Sequence, residues 1–262
     1  MEKIPLPTSL TIEEGEAPNI ATLTIEPCFP GYGTTLGNAI RRNLLFGLPG
    51  AAVVSFKVKG ASHEFSGIPS VKEDIVEISL NLKMLRLKVF TDQPVKITLK
   101  ASGEKKITAK DFEANSDVEI VSKDLHIATL TDKKASFELE AVVRQGRGYV
   151  PTEAREKEEV ETGMIRIDSN FSPIEKVGFK VENVRVGQMT NWDKLVVNIQ
   201  TDGTIMPKTA VHNAVEGILE HFKFIEEQTM GGEEAPKPAE EPKKKRRSKK
   251  SEIPVEAVAE EK

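Results

Sequence analysis

Three glycines form the part of the sequence that most resembles a ligand-binding loop. Gly31, Gly33 and Gly37 lie between a predicted strand and a predicted helix, the context in which backbone N–H groups at a helix N-terminus bind phosphate. The third glycine falls one position too late for the dinucleotide-binding fingerprint, and no Gly-Lys-Ser/Thr follows it to complete a P-loop. The pattern therefore favours a tight turn with close helix packing. A small nucleotide-binding protein that uses the turn at residues 31–37 is the alternative.

The histidines and carboxylates are not spaced like a catalytic or metal-binding site. His212 and His221 are nine residues apart on a predicted helix, which places them on different faces. The pairs Glu73-Asp74 and Glu158-Glu159 could act as acid and base or hold Mg²⁺, but both lie among charged residues typical of a surface. No Asp-x-Asp-x-Asp run occurs. We therefore expect no catalytic residue, no metal ligand and no cofactor in this chain.

Two cationic segments are candidate contacts for nucleic acid. Residues 146–151 (Gly-Arg-Gly-Tyr-Val-Pro) combine a cation with an aromatic ring, as single-strand binding surfaces do, although a structured loop is the simpler interpretation. Near the C-terminus, seven of the eight residues 243–250 are cations, which favours polyanions through counterion release. The alternative for this cluster is a solubilising tail. The candidate DNA contacts are Lys243, Lys244, Lys245, Arg246, Arg247, Lys249 and Lys250.

The elements that position such groups begin with a helix predicted over residues 34–46. Thr34 or Thr35 can cap its N-terminus, and Gly47 with Pro49 behind it ends the helix. Hydrophobic residues at helical spacing form a stripe along one face. This stripe consists of Leu36, Ala39, Ile40 and Leu44.

Two adjacent arginines, Arg41 and Arg42, border this stripe. The planar guanidinium of arginine presents several N–H donors and suits carboxylate and carbonyl partners. Such a group can bind partners inside the fold or reach a second chain, and the helix pattern alone does not choose between the two.

A second, longer helix is predicted over residues 207–228, with Pro207 in its first turn. A helix of this length spans ~30 Å. Its hydrophobic residues recur at coiled-coil-like spacing, which is typical of a helix that packs along another helix. They include Val211, Val215, Ile218, Phe222 and Ile225. A symmetric dimer would cover the apolar surface of both helices, because a two-fold axis lets one stripe face its own copy.

Between the two helices, the sequence predicts a separate module of mostly antiparallel strands. A capping box at residues 70–73 opens a short helix, and short alternating apolar runs with turn residues between them follow. The predicted fold class is α+β with two domains: a dimerisation domain with two flanking helices on an antiparallel sheet, interrupted by an inserted mostly-β module. The predicted bounds are 1–49 and 166–228 for the dimerisation domain, 50–165 for the inserted domain, and 229–262 for a disordered charged tail.

The composition is that of an ordinary globular protein. The 262 residues carry a net charge of −4, and 38% of them are hydrophobic. The single cysteine, Cys28, cannot form an intramolecular disulfide, and no hydrophobic run approaches the ~20 residues of a membrane span. We therefore expect a soluble cytoplasmic protein.

Six blocks of the sequence form an ordered series. The most specific is Gly-Thr-Thr-Leu-Gly-Asn-Ala-Ile-Arg-Arg-Asn-Leu-Leu at 33–45, which Leu-Pro-Gly follows at 48–50. The other blocks lie at 63–66, 73–83, 146–151, 172–175 and 201–205. In this order the blocks resemble one protein family, the bacterial RNA polymerase alpha subunit, and the resemblance covers roughly residues 1–228. Family members usually carry a further helical domain that contacts DNA, whereas this sequence continues with a short tail.

The resemblance implies a non-catalytic subunit of bacterial DNA-directed RNA polymerase, a nucleotidyltransferase. Members dimerise through the two helices. The predicted homodimer interface therefore consists of the four stripe residues of the first helix and the five hydrophobic residues named above in the second helix, which we call the seam. The positions that match contacts of the beta subunit are Arg41, Arg42 and Leu45. Those that match contacts of beta-prime are Ile167, Asp168, Ser169, Pro173 and Glu175. The catalytic magnesium is expected in the beta-prime partner.

Overall fold

A computed structural model describes residues 3–61, 63–158 and 161–230 of the chain. The chain divides into two units, residues 1–222 and 223–262, and each is described by itself. The seven candidate DNA contacts lie outside the described residues, as does most of the predicted disordered tail. Residues 229 and 230 are helical.

The described residues form three α-helices and fourteen strands. The helices are α1 (Tyr32–Phe46), α2 (Ile75–Lys83) and α3 (Pro207–Met230). The strands that precede α2 are β1 (Ser9–Glu14), β2 (Ile20–Cys28) and β3 (Pro49–Val58). Those that follow it are β4 (Leu87–Val89), β5 (Val95–Ser102), β6 (Lys105–Thr108), β7 (Val118–Ile120), β8 (His126–Leu130), β9 (Ser136–Arg147), β10 (Tyr149–Val150), β11 (Ile165–Arg166), β12 (Ser169–Asn170), β13 (Ile174–Val186) and β14 (Met189–Thr201).

Four strands form an antiparallel sheet in the order β1-β2-β14-β13. In β2, Ala21, Leu23 and Ile25 are buried and alternate with half-buried residues, because successive side chains of a strand point to opposite faces of the sheet. Strand β2 continues through Pro27 to Cys28, which pairs with Asp193 of β14. Strand β1, which has little apolar alternation, was not predicted.

Helix α1 packs on β13 and β14, and its buried positions recur every three to four residues. Glycine at position 37 permits this approach, because a Cβ there would lie 2.6 Å from Cδ2 of Phe179. A Cβ at position 33 would lie 2.9 Å from Cβ of Asp193. Close packing of a helix on a sheet therefore accounts for both glycines.

A second antiparallel sheet has the order β11-β3-β9-β5, and the pairs β4-β7 and β6-β8 form two-stranded ribbons. The buried face of α2, with Ile75, Ile78 and Leu82, packs into the core of this region. The predicted capping box at residues 70–73 is wrong. Helix α2 begins at Ile75, and its N-cap is Asp74, whose carboxylate accepts a hydrogen bond of 2.7 Å from the backbone N–H of Glu77.

The fold is therefore of the predicted α+β class. It contains two large clusters of buried side chains. The first cluster joins the first sheet to α1 and the start of α3. The second cluster joins the second sheet to α2. Ile167 belongs to the second cluster, although the predicted bounds place it in the dimerisation domain. Those bounds stay a prediction. Over the described ranges, no helix is both long and apolar enough to cross a membrane.

Candidate protein–protein interface

The N-terminus of α1 is bound by a carboxylate from a distant strand. Oδ2 of Asp193 accepts hydrogen bonds from the backbone N–H groups of Gly31 at 2.9 Å and Gly33 at 3.0 Å. Asp193 is buried, and its negative charge lies at the positive end of the helix dipole. The expectation that Thr34 or Thr35 caps α1 is wrong, because its N-cap is Gly31 and Asp193 supplies the acceptor. The N–H groups that a phosphate would use are thus already bound to the chain's own carboxylate.

The nine predicted dimer residues differ in how far their own chain covers them. Ile40, Leu44 and Val211 are buried in the first cluster, with exposed fractions of 6%, 0% and 9%. Four more are half-buried, namely Leu36, Ala39, Val215 and Ile218. Phe222 is 60% exposed in the first unit, and Ile225 is 53% exposed in the second. The stripe and the seam therefore each contain residues that pack in the core of their own protomer.

Asn43 joins α1 to α3 within the first unit. Its Nδ2 donates a hydrogen bond to the backbone carbonyl of Ala214. Glycine at position 217 leaves room for this amide, since a Cβ there would lie 3.2 Å from Nδ2 of Asn43. Sequence reasoning did not single out Asn43, because a polar residue on a short amphipathic helix is ordinarily a solvated one.

The three predicted beta-subunit contacts all lie in the C-terminal half of α1. Arg41 and Arg42 are exposed, and neither forms an ion pair within the part of the chain that the structure describes. Leu45 is half-buried against the first cluster. Its carbonyl accepts a hydrogen bond of 3.1 Å from Oγ of Ser172. Ser172 thus links the predicted beta contacts to the segment predicted to contact beta-prime.

Of the five predicted beta-prime contacts, three have side chains that the protomer itself covers. Ile167 and Ser169 have exposed fractions of 6% and 1%, and Pro173 is also buried. Glu175 is exposed and accepts a hydrogen bond of 2.9 Å from Nε2 of Gln200. Asp168 is half-buried. Of these five residues, only Asp168 and Glu175 have side chains with substantial exposure.

Asp168 lies at the centre of a polar network. Its Oδ2 accepts hydrogen bonds from Nζ of Lys83 at 3.0 Å and from the hydroxyl of Tyr149 at 2.8 Å, and its Oδ1 accepts one from the backbone N–H of Thr152 at 3.0 Å. The Thr152 N–H, followed by Lys83 and Tyr149, lowers the pKa of Asp168 to about 2. The ammonium of Lys83 also lies over the ring of Tyr149, 5.4 Å from its centroid. Sequence reasoning did not predict these three partners.

A buried arginine, Arg155, binds the residues on either side of Asp168. Arg155 is 4% exposed, and its Nη2 donates to the carbonyl of Ile167 and, at 3.1 Å, to Oγ of Ser169. Its Nη1 donates to the carbonyl of Val54 at 3.4 Å. Burial lowers the pKa of this guanidinium below its ordinary value. Sequence reasoning did not single out Arg155, which stands in a highly charged stretch.

One carboxylate of the two pairs considered in the sequence proves to be buried. Glu73 is 5% exposed, and its carboxylate accepts hydrogen bonds from the backbone N–H of Thr129 at 2.6 Å and from its hydroxyl at 2.9 Å. Nε2 of His126 lies 2.9 Å from Oε1 of Glu73. The surface position expected for Glu73 is therefore wrong. In the other pair, Glu158 is bound to Arg144, and Glu159 lies outside the described residues.

The fold and these residues define an α+β protein whose candidate functional groups line helix and strand surfaces. Across the described ranges, no group of three or more His, Cys, Asp or Glu side chains is arranged to hold a metal ion. Residues 54–172 match the family model described as the RNA polymerase Rpb3/RpoA insert domain.

Two curated relatives extend the match over most of the chain. The DNA-directed RNA polymerase subunit alpha of Alkaliphilus oremlandii is 48% identical over 202 residues, which are 77% of this chain and 63% of that protein. The subunit of the same name from Oceanobacillus iheyensis is 42% identical over 225 residues, 86% of this chain and 71% of that protein. The chain therefore belongs to the family of DNA-directed RNA polymerase alpha subunits, as its sequence blocks predicted. It spans 63% and 71% of the lengths of these relatives.

Proposed function

We propose that this chain is an assembly scaffold of a bacterial DNA-directed RNA polymerase. Two copies form a homodimer, and the dimer binds one beta and one beta-prime subunit in the cytoplasm. The partners supply the DNA channel and, in beta-prime, the catalytic magnesium, so the complex rather than this chain transfers nucleotides. Family membership, with 42% identity over 86% of the chain, is the observation that carries this proposal.

Exposed side chains of α3 support the homodimer. Within the first unit, Leu219 is 50% exposed and Phe222 is 60% exposed. Burial of a large hydrophobic side chain contributes about 1.5–3 kcal/mol, and a second copy related by a two-fold axis would cover the same residues on both chains. Leu36 and Ile218 are half-buried, so the exposed part of each side chain would add apolar surface to the dimer interface.

Two charged side chains support a partner at the end of α1. Arg41 and Arg42 are both exposed, and exposed arginines at the rim of an interface accelerate association with an oppositely charged partner. Leu45, half-buried beside them, supplies adjoining apolar surface. We assign this surface to the beta subunit and the exposed carboxylate of Glu175 to beta-prime.

Co-expression of the full chain with the beta and beta-prime subunits of its own organism tests the proposal. Native mass spectrometry of the purified complex should find two copies of this chain for each beta and each beta-prime. A complex with one copy, or recovery of the chain without either partner, would contradict the scaffold role.

The Arg42→Ala variant tests the assignment of the beta surface. Loss of a rim charge should slow association with beta and weaken its salt dependence, while the dimer persists. Binding kinetics on immobilised beta at two salt concentrations measure the first effect, and sedimentation velocity measures the second. Lys133→Ala, which removes an exposed cation elsewhere, is the control and should bind as the unmodified chain does. A monomeric Arg42→Ala variant would show that the assignment is wrong.

A further inference from the structure

The carboxylate of Asp168 is committed to contacts within its own chain. Lys83 at the end of α2, Tyr149 in β10 and Thr152 in the following turn each donate a hydrogen bond to it, at 2.8–3.0 Å. These donors come from two separate parts of the sequence, residue 83 and residues 149–152. A carboxylate accepts about four hydrogen bonds, so three internal donors leave little capacity for a partner chain.

Asp168 and Arg155 hold consecutive residues of one segment from opposite sides. The guanidinium of Arg155 binds the carbonyl of Ile167 and the hydroxyl of Ser169 in the protein interior. Ser169 in turn donates to the carbonyl of Val53 at 2.7 Å. The side chain between them, Asp168, is directed to the half-exposed side, where Lys83 and Tyr149 bind it. Residues 167–169 are thereby fixed to β3, to α2 and to the turn at Thr152.

We infer that Asp168 is a positioning residue, which orders residues 167–175 for a partner through its bonds to Lys83, Tyr149 and Thr152, and is not itself a partner contact. This inference rests on the proposed function, because the partner of that segment is beta-prime. It also changes the role given to Asp168 by the sequence resemblance. Ordering a binding segment before association reduces the conformational entropy lost on binding.

A double-mutant cycle distinguishes positioning from direct contact. The full chain carrying Asp168→Asn, Lys83→Met or both is co-expressed with beta, and the affinity of each purified complex for beta-prime is measured. Each single variant should lose about tenfold in affinity. The double variant should lose far less than the product of the two, because both changes remove the same ion pair. Fully additive losses of about a hundredfold, or no loss in Asp168→Asn, would overturn the inference.

The titration of Lys83 provides a readout that does not depend on a partner. Burial acts to lower the pKa of Lys83, but its hydrogen bond and charge interaction with Asp168 outweigh this, so the pKa lies above its ordinary value of 10.5. In Asp168→Asn, NMR of the Lys83 Nζ group should show a lower pKa than in the unmodified chain. Glu119→Gln, which removes the partner of Lys88, is the control and should leave the titration of Lys83 unchanged. An unchanged pKa in Asp168→Asn would contradict the network.

Two further outcomes separate the causes of failure. If the unmodified chain binds neither beta nor beta-prime, the proposed function fails, whereas an additive cycle with normal binding of the unmodified chain overturns only the inference. If Asp168→Asn does not fold by circular dichroism, Tyr149→Phe replaces it in the cycle. That change removes one donor to Oδ2 and keeps the ring, so it should lower beta-prime affinity about threefold. An unchanged affinity for beta-prime in Tyr149→Phe would overturn the inference.

Discussion

At the residue scale, single carboxylates with long-range partners determine local structure. Asp193 is the main case, because it binds the N-terminus of a helix that lies more than 150 positions earlier in the chain. Glu73 and Asp168 act similarly between α2 and the strands around it. Each of these carboxylates accepts two or more hydrogen bonds, so its loss would leave several donors without partners.

We predict that Asp193→Ala lowers the free energy of unfolding by about 2 kcal/mol, the upper range for loss of a helix cap. The N–H groups of Gly31 and Gly33 would lose their acceptor, and the helix dipole would lose a compensating charge. Urea denaturation at one fixed protein concentration measures the change, since dimer stability depends on concentration. Asp92→Ala, at an exposed position, is the control and should alter the free energy by less than about 0.5 kcal/mol. Equal midpoints for the two variants would argue against the capping role.

Glu73 should make stability depend on pH. Burial acts to raise the pKa of its carboxyl, but hydrogen bonds from His126 and Thr129 outweigh this effect, and the pKa lies below its ordinary value of 4.5. A carboxyl with a lowered folded-state pKa stabilises the protein above its unfolded-state pKa, and this contribution disappears as pH falls through the folded-state pKa.

We therefore predict that Glu73→Gln is less stable than the unmodified chain at pH 7, by about 1–2 kcal/mol. The difference should shrink as pH falls below 4.5. Urea denaturation at a series of pH values measures it, with the exposed Glu77→Gln variant as control. A difference that stays constant down to the acid unfolding transition would refute this account.

At the element scale, the approach of α1 to the first sheet depends on residues without side chains. Gly33 and Gly37 face β13 and β14, and the structure has no room for a Cβ at position 37. Interiors are close-packed, so an added methyl group forces backbone or side-chain shifts. The same face of α1 carries Ile40 and Leu44 into the core, so displacement of the helix would also loosen their packing.

We expect Gly37→Ala to lower the free energy of unfolding by about 1–3 kcal/mol through overpacking against Phe179. The gain in helix propensity, about 1 kcal/mol, would offset part of this cost. Thermal unfolding of both variants tests the idea, with Gly178→Ala as the matched control. A Cβ at position 178 meets no atom within 4 Å, so that change should leave stability unchanged or slightly higher. An unaffected Gly37→Ala variant would mean that α1 can shift away from the sheet without cost.

At the scale of the whole molecule, a substitution tests dimerisation only if it leaves the core of the protomer intact. Val215 belongs to the predicted seam, but it also packs against the core of its own chain. A charge at that position would therefore disturb the protomer as well as any dimer. Phe222 is 60% exposed, so a change there leaves the protomer's core intact.

We predict that Phe222→Glu converts the proposed dimer to a monomer at micromolar concentration while the protomer remains folded. Burial of an unpaired charge in an apolar interface costs several kcal/mol. Light scattering measures the mass, and circular dichroism checks the fold. His221→Glu, at the neighbouring exposed position outside the seam, should remain dimeric. A dimeric Phe222→Glu variant would exclude this seam as the interface.

Local patterns in the sequence were sufficient for most elements and for the family. The stripe on α1, Pro207 at the start of α3 and the alternation in β2 each depend on residues a few positions apart, so helical or strand periodicity reveals them. The blocks at 33–45 and 146–151 likewise identified the family without any tertiary information. Strands β1 and β6 were missed, because short and mostly exposed strands carry little apolar alternation.

The sequence by itself thus determined the α+β class, the two principal helices and family membership, whereas the partners of buried polar groups were decided only by the tertiary structure. Asp193 binds α1, Glu73 binds β8 and Asp168 binds α2 across separations of 162, 56 and 85 positions. Hydrophobic periodicity shows which face of an element is apolar, but it does not show which other element packs against that face. That depends on strand order and helix packing, which bring distant donors and acceptors within hydrogen-bond distance only when the whole core has formed.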